Sequence, residues 1–315
     1  MDTLPLELHS QIFELVCLDD GSTGRSLSLV SRYVHNVAEP FAYQSLRVAG
    51  LSSITELLNR LKRTTERRRR TRRLFLSDWT RKQAQQEIVP DDDERFDLER
   101  DKIIELLDLV APFLESLAFT ASCPYNSAQL LGHLFSLHLP HLRSLVVHGF
   151  YPFPHAPHTM PALEYLHLSG NRNPHGLLQT GALSTACPNL VHLRVSGLVA
   201  APSFAEELAE ALHPSERPSS LFPSSLPKHV GQISVQAGPA PPASLRGRRQ
   251  TSAQLQHTKM QERLRSLRAQ SEAKGEGDVE VVLLEAKEGD ADTFETMFRE
   301  WADDVPSSTV SCPSS

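Results

Sequence analysis

Pro112-Phe113-Leu114-Glu115-Ser116-Leu117-Ala118-Phe119, Pro140-His141-Leu142-Arg143-Ser144-Leu145-Val146-Val147, Pro161-Ala162-Leu163-Glu164-Tyr165-Leu166-His167-Leu168 and Pro188-Asn189-Leu190-Val191-His192-Leu193-Arg194-Val195 spell one pattern four times. Each reads proline, any residue, leucine, two residues, leucine, one residue, apolar residue. The closing half alternates apolar and polar positions, as a short strand does when one face packs on a core. Successive prolines lie 28, 21 and 27 residues apart, within the span of about 20 to 29 residues that one strand-plus-helix repeat occupies. Segments 98–110, 127–137 and 177–185 between them read as helices. Strand, helix, strand at this spacing requires parallel strands joined by crossovers, stacked as a curved solenoid.

Weaker copies extend the series in both directions. Leu46 and Val48, then Leu74 and Leu76, occupy the two inward positions, and Ser53-x-x-Glu56 reads as a capping box for an expected helix through Leu57, Leu58 and Leu61. Val230, Ile233 and Val235, then Val279, Val282 and Leu284, supply two further strands, for up to eight. The expected class is α/β of a repeat type. Asn171, after Leu168-Ser169-Gly170, suits an asparagine that hydrogen-bonds a turn. A charged helix over 250–273 with Leu255, Met260, Leu264 and Leu267 on one side is expected at the surface. Thr293, Phe294, Met297, Phe298 and Trp301 predict a closing helix over the open end of the stack.

The first fifty residues have a different texture. Leu4-Pro5 opens a helix, proline suiting the first turn because its absent N–H would be unpaired there. Leu8, Ile12, Leu15 and Val16 follow on one helical face, which must be covered. Asp19-Asp20-Gly21-Ser22-Thr23-Gly24 breaks the pattern, and a second stripe runs through Leu27, Val30, Val34 and Val37 to Pro40.

Leu4-Pro5-Leu6-Glu7-Leu8, Ile12-Phe13, Leu29-Val30-Ser31-Arg32 and Val37-Ala38 together resemble an F-box, and residues 27–48 are similar to the F-box ends of many fungal proteins. The repeats behind it resemble the divergent leucine-rich repeats that follow fungal F-boxes. The resemblance implies a module that binds the Skp-type adaptor of cullin-RING ubiquitin ligases. By position, Leu4, Pro5, Leu8, Ile12 and Val30 would form the adaptor-binding surface. Where many members carry a tryptophan in the last helix, this chain has Val34.

The expected organisation is an F-box-like helical module over 1–46 and a leucine-rich-repeat-like solenoid over 47–305. Disordered insertions are expected near 214–228 and 237–249, where Pro, Ser and Gly are concentrated, and a disordered tail over 306–315. The expected function is substrate recognition within an SCF-type ligase, the repeat face holding an unknown protein substrate and the adaptor linking it to the cullin scaffold. The alternative is a repeat scaffold without ligase association. Among outward strand positions, Arg143, Tyr165, His167, His192 and Arg194 are the candidate substrate contacts, with Glu115, Ser116, Ser144 and Glu164 beside them.

Composition narrows the other classes. A 315-residue chain of net charge −6 lacks the positive surplus of a general nucleic-acid binder. Cys17, Cys123, Cys187 and Cys312 lie far apart without a CxxC spacing, as reduced thiols do in the cytoplasm or nucleus. No run approaches the roughly 18 apolar residues of a membrane span. Asp91-Asp92-Asp93-Glu94 lacks the spacing of a calcium loop, and His148, His155 and His158 match no zinc motif. Arg67-Arg68-Arg69-Arg70 with Arg72 and Arg73 reads either as a solvated helix end or as a nuclear signal. The sequence has no GxSxG elbow, no P-loop and no GxGxxG. The expectation is a protein with no catalytic residue, metal or cofactor, and not an enzyme.

Overall fold

In the computed structural model, which describes residues 4–65, 69–84, 93–152, 156–213, 222–242, 251–274, 279–286 and 293–303, the repeated pattern becomes a single sheet. Its strands are β1 (Ser45–Ala49), β2 (Arg73–Ser77), β3 (Ser116–Thr120), β4 (Ser144–His148), β5 (Tyr165–Ser169), β6 (His192–Leu198), β7 (Gln232–Ala237) and β8 (Glu280–Leu284). All eight are parallel and paired in chain order, so the fold is α/β.

The register stacks like positions on like. Leu74, Leu117, Leu145, Leu166, Leu193, Ile233 and Val281 form one row, and Leu76, Phe119, Val147, Leu168, Val195, Val235 and Leu283 another. Both rows point to the first face of the sheet, where they share one core with α4 (Leu51–Arg63), α6 (Asp93–Val110), α7 (Ser127–Ser136), α8 (Ala182–Ala186), α9 (Pro202–Leu212) and α10 (Ser252–Lys274), whereas the short α5 (Arg81–Ala84) buries no residue. Each such leucine removed from water contributes about 1.5–3 kcal/mol, so the repetition itself stabilises the stack. The first leucine of each copy, at 114, 142, 163 and 190, is also buried. Three of them close the same turn, Leu142 N–H donating to Leu139 O, Leu163 to Met160 O and Leu190 to Cys187 O.

The strand ends pack so tightly that side chains are excluded. A Cβ on Gly149 (φ +146°) would lie 2.4 Å from Ser127 Oγ, and one on Gly170 (φ +93°) would lie 2.6 Å from Gly149 N. Asn171 is buried next to this corner, and its Oδ1 accepts from Asn173 N–H at 3.1 Å, the turn bond expected of it.

Before the sheet stand α1 (Leu6–Val16), α2 (Ser22–Ser28) and α3 (Arg32–Ala38), with Pro40 in a 3-10 turn at Glu39–Phe41. Ser31 caps α3, its side chain accepting from Val34 N–H. These helices form a small core of Phe13, Val34, Val37 and Ala38. The covered side of α1 is therefore His9 and Phe13. Leu8, Ile12, Leu15 and Val16, the face that needs a cover, are not covered by the chain itself and are exposed. The second stripe is broken as well, with Val34 and Val37 inside and Leu29 and Val30 in the exposed turn between α2 and α3.

Other expectations shift. In β8 the inward residues are Val281 and Leu283, not Val282 and Leu284, because they pair with Ile233 and Val235. Glu280-Val281-Val282-Leu283-Leu284 is apolar on both sides, so alternation could not fix its register, and a one-residue slip exchanges the faces. Part of the first expected insertion is ordered: Ser224 pairs with Gln179 across an isolated bridge and Ser225 N–H donates to Leu178 O. Residues 214–221, 243–250 and 304–315 lie outside the described residues. In α10, Met260, Leu264 and Leu267 join the core while Leu255 is exposed.

The closing helix is the largest departure. α11 (Thr293–Asp303) does not cap the β8 end. It packs across the second face of the sheet, at β2, β3 and β4, because that face presents Phe75, Ala118 and Val146 to it.

Candidate functional site

On the second face the middle row of the register reads Arg47, Phe75, Ala118, Val146, His167, Arg194, Ser234, Val282. It is apolar over β2–β4 and polar over β5–β7. α11 follows the same division. Phe294, Met297 and Trp301 are buried against the apolar half. Phe75 meets the edges of Phe294 and Phe298 at 5.1 and 5.3 Å between centroids. Arg47 Cζ lies 4.0 Å above the Phe298 ring, and Arg73 Cζ 5.1 Å above Trp301. Arg73 Nη2 also donates to the Trp301 carbonyl at 2.8 Å, near the helix C-terminus where a cation is favoured.

Where the row turns polar, Glu300 reaches it. Tyr165 donates its hydroxyl to Glu300 Oε1 at 2.8 Å, His167 Nδ1 lies 2.6 Å from the same oxygen, and Arg194 Nη1 lies 3.4 Å from Oε2. Burial alone would raise the Glu300 carboxyl. The hydrogen bond and charge of His167, the Arg194 charge and the Tyr165 hydroxyl overcome it and hold the group below its ordinary value. His167 Nε2 is engaged on its other side with Ser196 Oγ at 2.7 Å. Burial, then the facing His167, lowers His148 to about 4, so it is neutral at pH 7.

Three of the candidate contacts, Tyr165, His167 and Arg194, therefore meet at one point, around a carboxylate of the chain itself. His192 is adjacent, its ring edge-on to Tyr165 at 5.0 Å and its Nε2 2.9 Å from Ser234 Oγ. Arg143 is elsewhere. It precedes β4, is exposed, and uses its carbonyl to accept the N–H groups of Glu164 and Tyr165. Ser116 and Ser144 point to the second face, whereas Glu115 and Glu164 precede their strands.

A second surface lies at the N-terminus. Leu4, Pro5, Leu8, Ile12 and Val30 are all exposed. Nine of the fifteen exposed large apolar side chains among the described residues fall between Leu4 and Tyr33. The module is seated on the sheet by Glu14, whose carbonyl accepts from Gln44 Nε2 at 2.9 Å and whose carboxylate meets Arg72 Nη1 at 3.0 Å. Val34 is buried with Phe13 in the small core of these helices and not on their exposed surface.

No family model and no curated protein matches the chain.

The arginine run divides into parts with separate duties. Arg72 links α1 to Glu115, Arg73 clamps α11, and residues 66–68 lie outside the described residues. His155 is outside them too, and among the described residues no group of three histidine, cysteine or acidic side chains is placed to hold a metal. No described helix is long and apolar enough to cross a membrane. Cys17, Cys123 and Cys187 are free and buried. Burial raises the Cys17 thiol to about 11, with help from Asp19, and Cys187 to about 12, which keeps both protonated and unreactive.

One buried cluster has no signature in the sequence. Asp78, after β2, accepts N–H bonds from Trp79, Ser122 and Cys123 and so ties two strand ends together. Glu99 of α6 faces it, nearly inaccessible, with Oε1 unpartnered among the described residues. No spacing in the sequence relates residues 78 and 99, because only the packing of α6 on β2 and β3 joins them.

Proposed function

We propose that the chain is the substrate-recognition subunit of an SCF-type cullin-RING ubiquitin ligase. In this reading residues 1–46 are an F-box-like module that docks on the Skp-type adaptor through Leu4, Pro5, Leu8, Ile12 and Val30. Residues 47–305 are a leucine-rich-repeat-like solenoid whose second face holds a protein substrate. The receptor would have no catalytic residue and no cofactor. It would contribute proximity, holding a substrate lysine near the ubiquitin-loaded enzyme on the RING partner, in the cytoplasm or nucleus.

The observation that carries the reading is the division of apolar residues in the first three helices. Phe13, Val34, Val37 and Ala38 are enough to form their own core. A second set, including Leu8 and Ile12 at 44% exposure each, is left in water. Contiguous exposed apolar surface of this kind marks an interaction site. The seating of Glu14 on Arg72 and Gln44 also suits the alternative, a repeat scaffold whose helices only cap the stack. Such a cap would have no reason to keep Leu8 and Ile12 outside.

Co-purification separates the two readings. The full chain should retain a Skp-type adaptor, and a Leu8→Asp, Ile12→Asp variant with unchanged circular dichroism should lose it. A folded wild-type chain that retains no adaptor refutes the ligase reading and leaves the scaffold.

A further inference from the structure

We infer that the second face of the sheet is a receptor for an amphipathic helix with apolar residues at positions i, i+3, i+4 and i+7 and a carboxylate at i+6. α11 occupies it in cis until such a helix from a protein partner displaces it. The inference rests on the reading of that face as the substrate surface and specifies the substrate class.

The sheet itself is written for a helical occupant. Phe75, Ala118 and Val146 occupy neighbouring second-face positions, where an uncovered sheet would carry polar side chains. Two arginines lie over aromatic rings of the occupant, and three polar groups converge on one carboxylate, so the face distinguishes an acid at one position from apolar residues at the others. Phe294, Met297, Phe298, Glu300 and Trp301 provide that spacing, one stripe of a helix laid in a groove.

The fit of α11 is incomplete. Trp301 Nε1, Ser116 Oγ and Thr120 Oγ1 are buried without a hydrogen-bond partner among the described residues, and a buried polar atom left unpaired weakens the contact that covers it. A partner helix that pairs the two strand hydroxyls, and buries no unpaired indole N–H of its own, would hold the face better than α11. α11 competes through its covalent attachment, which gives it an effective concentration on the order of millimolar.

The test uses the full chain and a fluorescein-labelled peptide of residues 293–303, with no adaptor present. Two variants release α11 differently: Met297→Asp with Trp301→Asp removes its apolar anchors, and Glu300→Lys sets a cation against Arg194. The variant chains should bind the peptide at least tenfold more tightly than wild type. Adding Arg194→Ala, or a peptide with Glu300→Gln, should weaken that binding about tenfold. Light scattering follows the oligomeric state. The inference is overturned if both variants keep the circular dichroism of the wild-type sheet and bind no peptide, or bind a scrambled peptide equally. It is also overturned if they pair with a second copy of the chain and leave peptide unbound. The Leu8→Asp, Ile12→Asp change should leave peptide binding intact, so failure of the adaptor reading and failure of this one give different results.

Discussion

Replacing Glu99 by glutamine should make the chain more stable at pH 8 and leave it nearly unchanged at pH 4. The carboxyl of Glu99 is pushed up to about 7 from 4.5, first by burial and second by the charge of Asp78, while Arg95 and the Trp79 side chain pull it down. Asp78 is raised to about 6, again by burial, against the pull of its backbone N–H bonds. Both groups keep their protons to a higher pH in the folded chain than in the unfolded one. The pair's contribution to stability is therefore fully present below the unfolded values near 4, falls as pH rises, and is flat above about 7. At about 1.4 kcal/mol per pKa unit the Glu99 rise has an upper bound of about 3 kcal/mol. Sharing of the effect with Asp78 reduces it to about 1–2 kcal/mol. Glutamine keeps the shape and cannot ionise. Urea unfolding followed by circular dichroism from pH 4 to 8 should show a decline in wild type that is shallower by that amount in Glu99→Gln. A variant that is less stable than wild type at pH 8, or one with an identical pH slope, would refute the reasoning.

The acid side should behave oppositely at α11. Because Glu300 is held below its ordinary value, its contribution is present above the unfolded carboxylate range and lost as pH falls through the folded value. Trp301 fluorescence in a Trp79→Phe background should shift to the red on acidification, and an unmoved spectrum would count against the Glu300 anchor. Gly149→Ala should cost about 2 kcal/mol or more in thermal or urea melts, since its Cβ would meet Ser127 Oγ at 2.4 Å and Ala121 O at 2.8 Å. Phe13→Ala should cost about 3 kcal/mol or more and appear first as loss of protection in α1 and α3 by hydrogen exchange, with the sheet core unaffected.

The strands were legible because the burial requirement is periodic. Leu117 and Phe119, Leu145 and Val147, Leu166 and Leu168, and Leu193 and Val195 announce themselves by alternation, and their spacing fixes the parallel order. Alternation loses its meaning where both sides of a strand are apolar, which is why it assigns the wrong register to β8. In the first helices the apolar stripe was legible but its destination was not. Periodicity counts apolar residues on a face without saying whether chain or solvent meets them, and here His9 and Phe13 took the inside.

The candidate contacts divide in the same way. The sequence by itself placed Tyr165, His167, His192 and Arg194 on outward strand positions, since a pleated strand leaves them nowhere else to point. It could not place Glu300 against three of them, Arg73 over Trp301, or Glu99 against Asp78, because those pairs are separated by 21 to 228 residues and no local rule couples them. Repetition determined the sheet from within single repeats. Only the packing of whole elements decided that the last helix lies on the second face, and with it which side chains meet there.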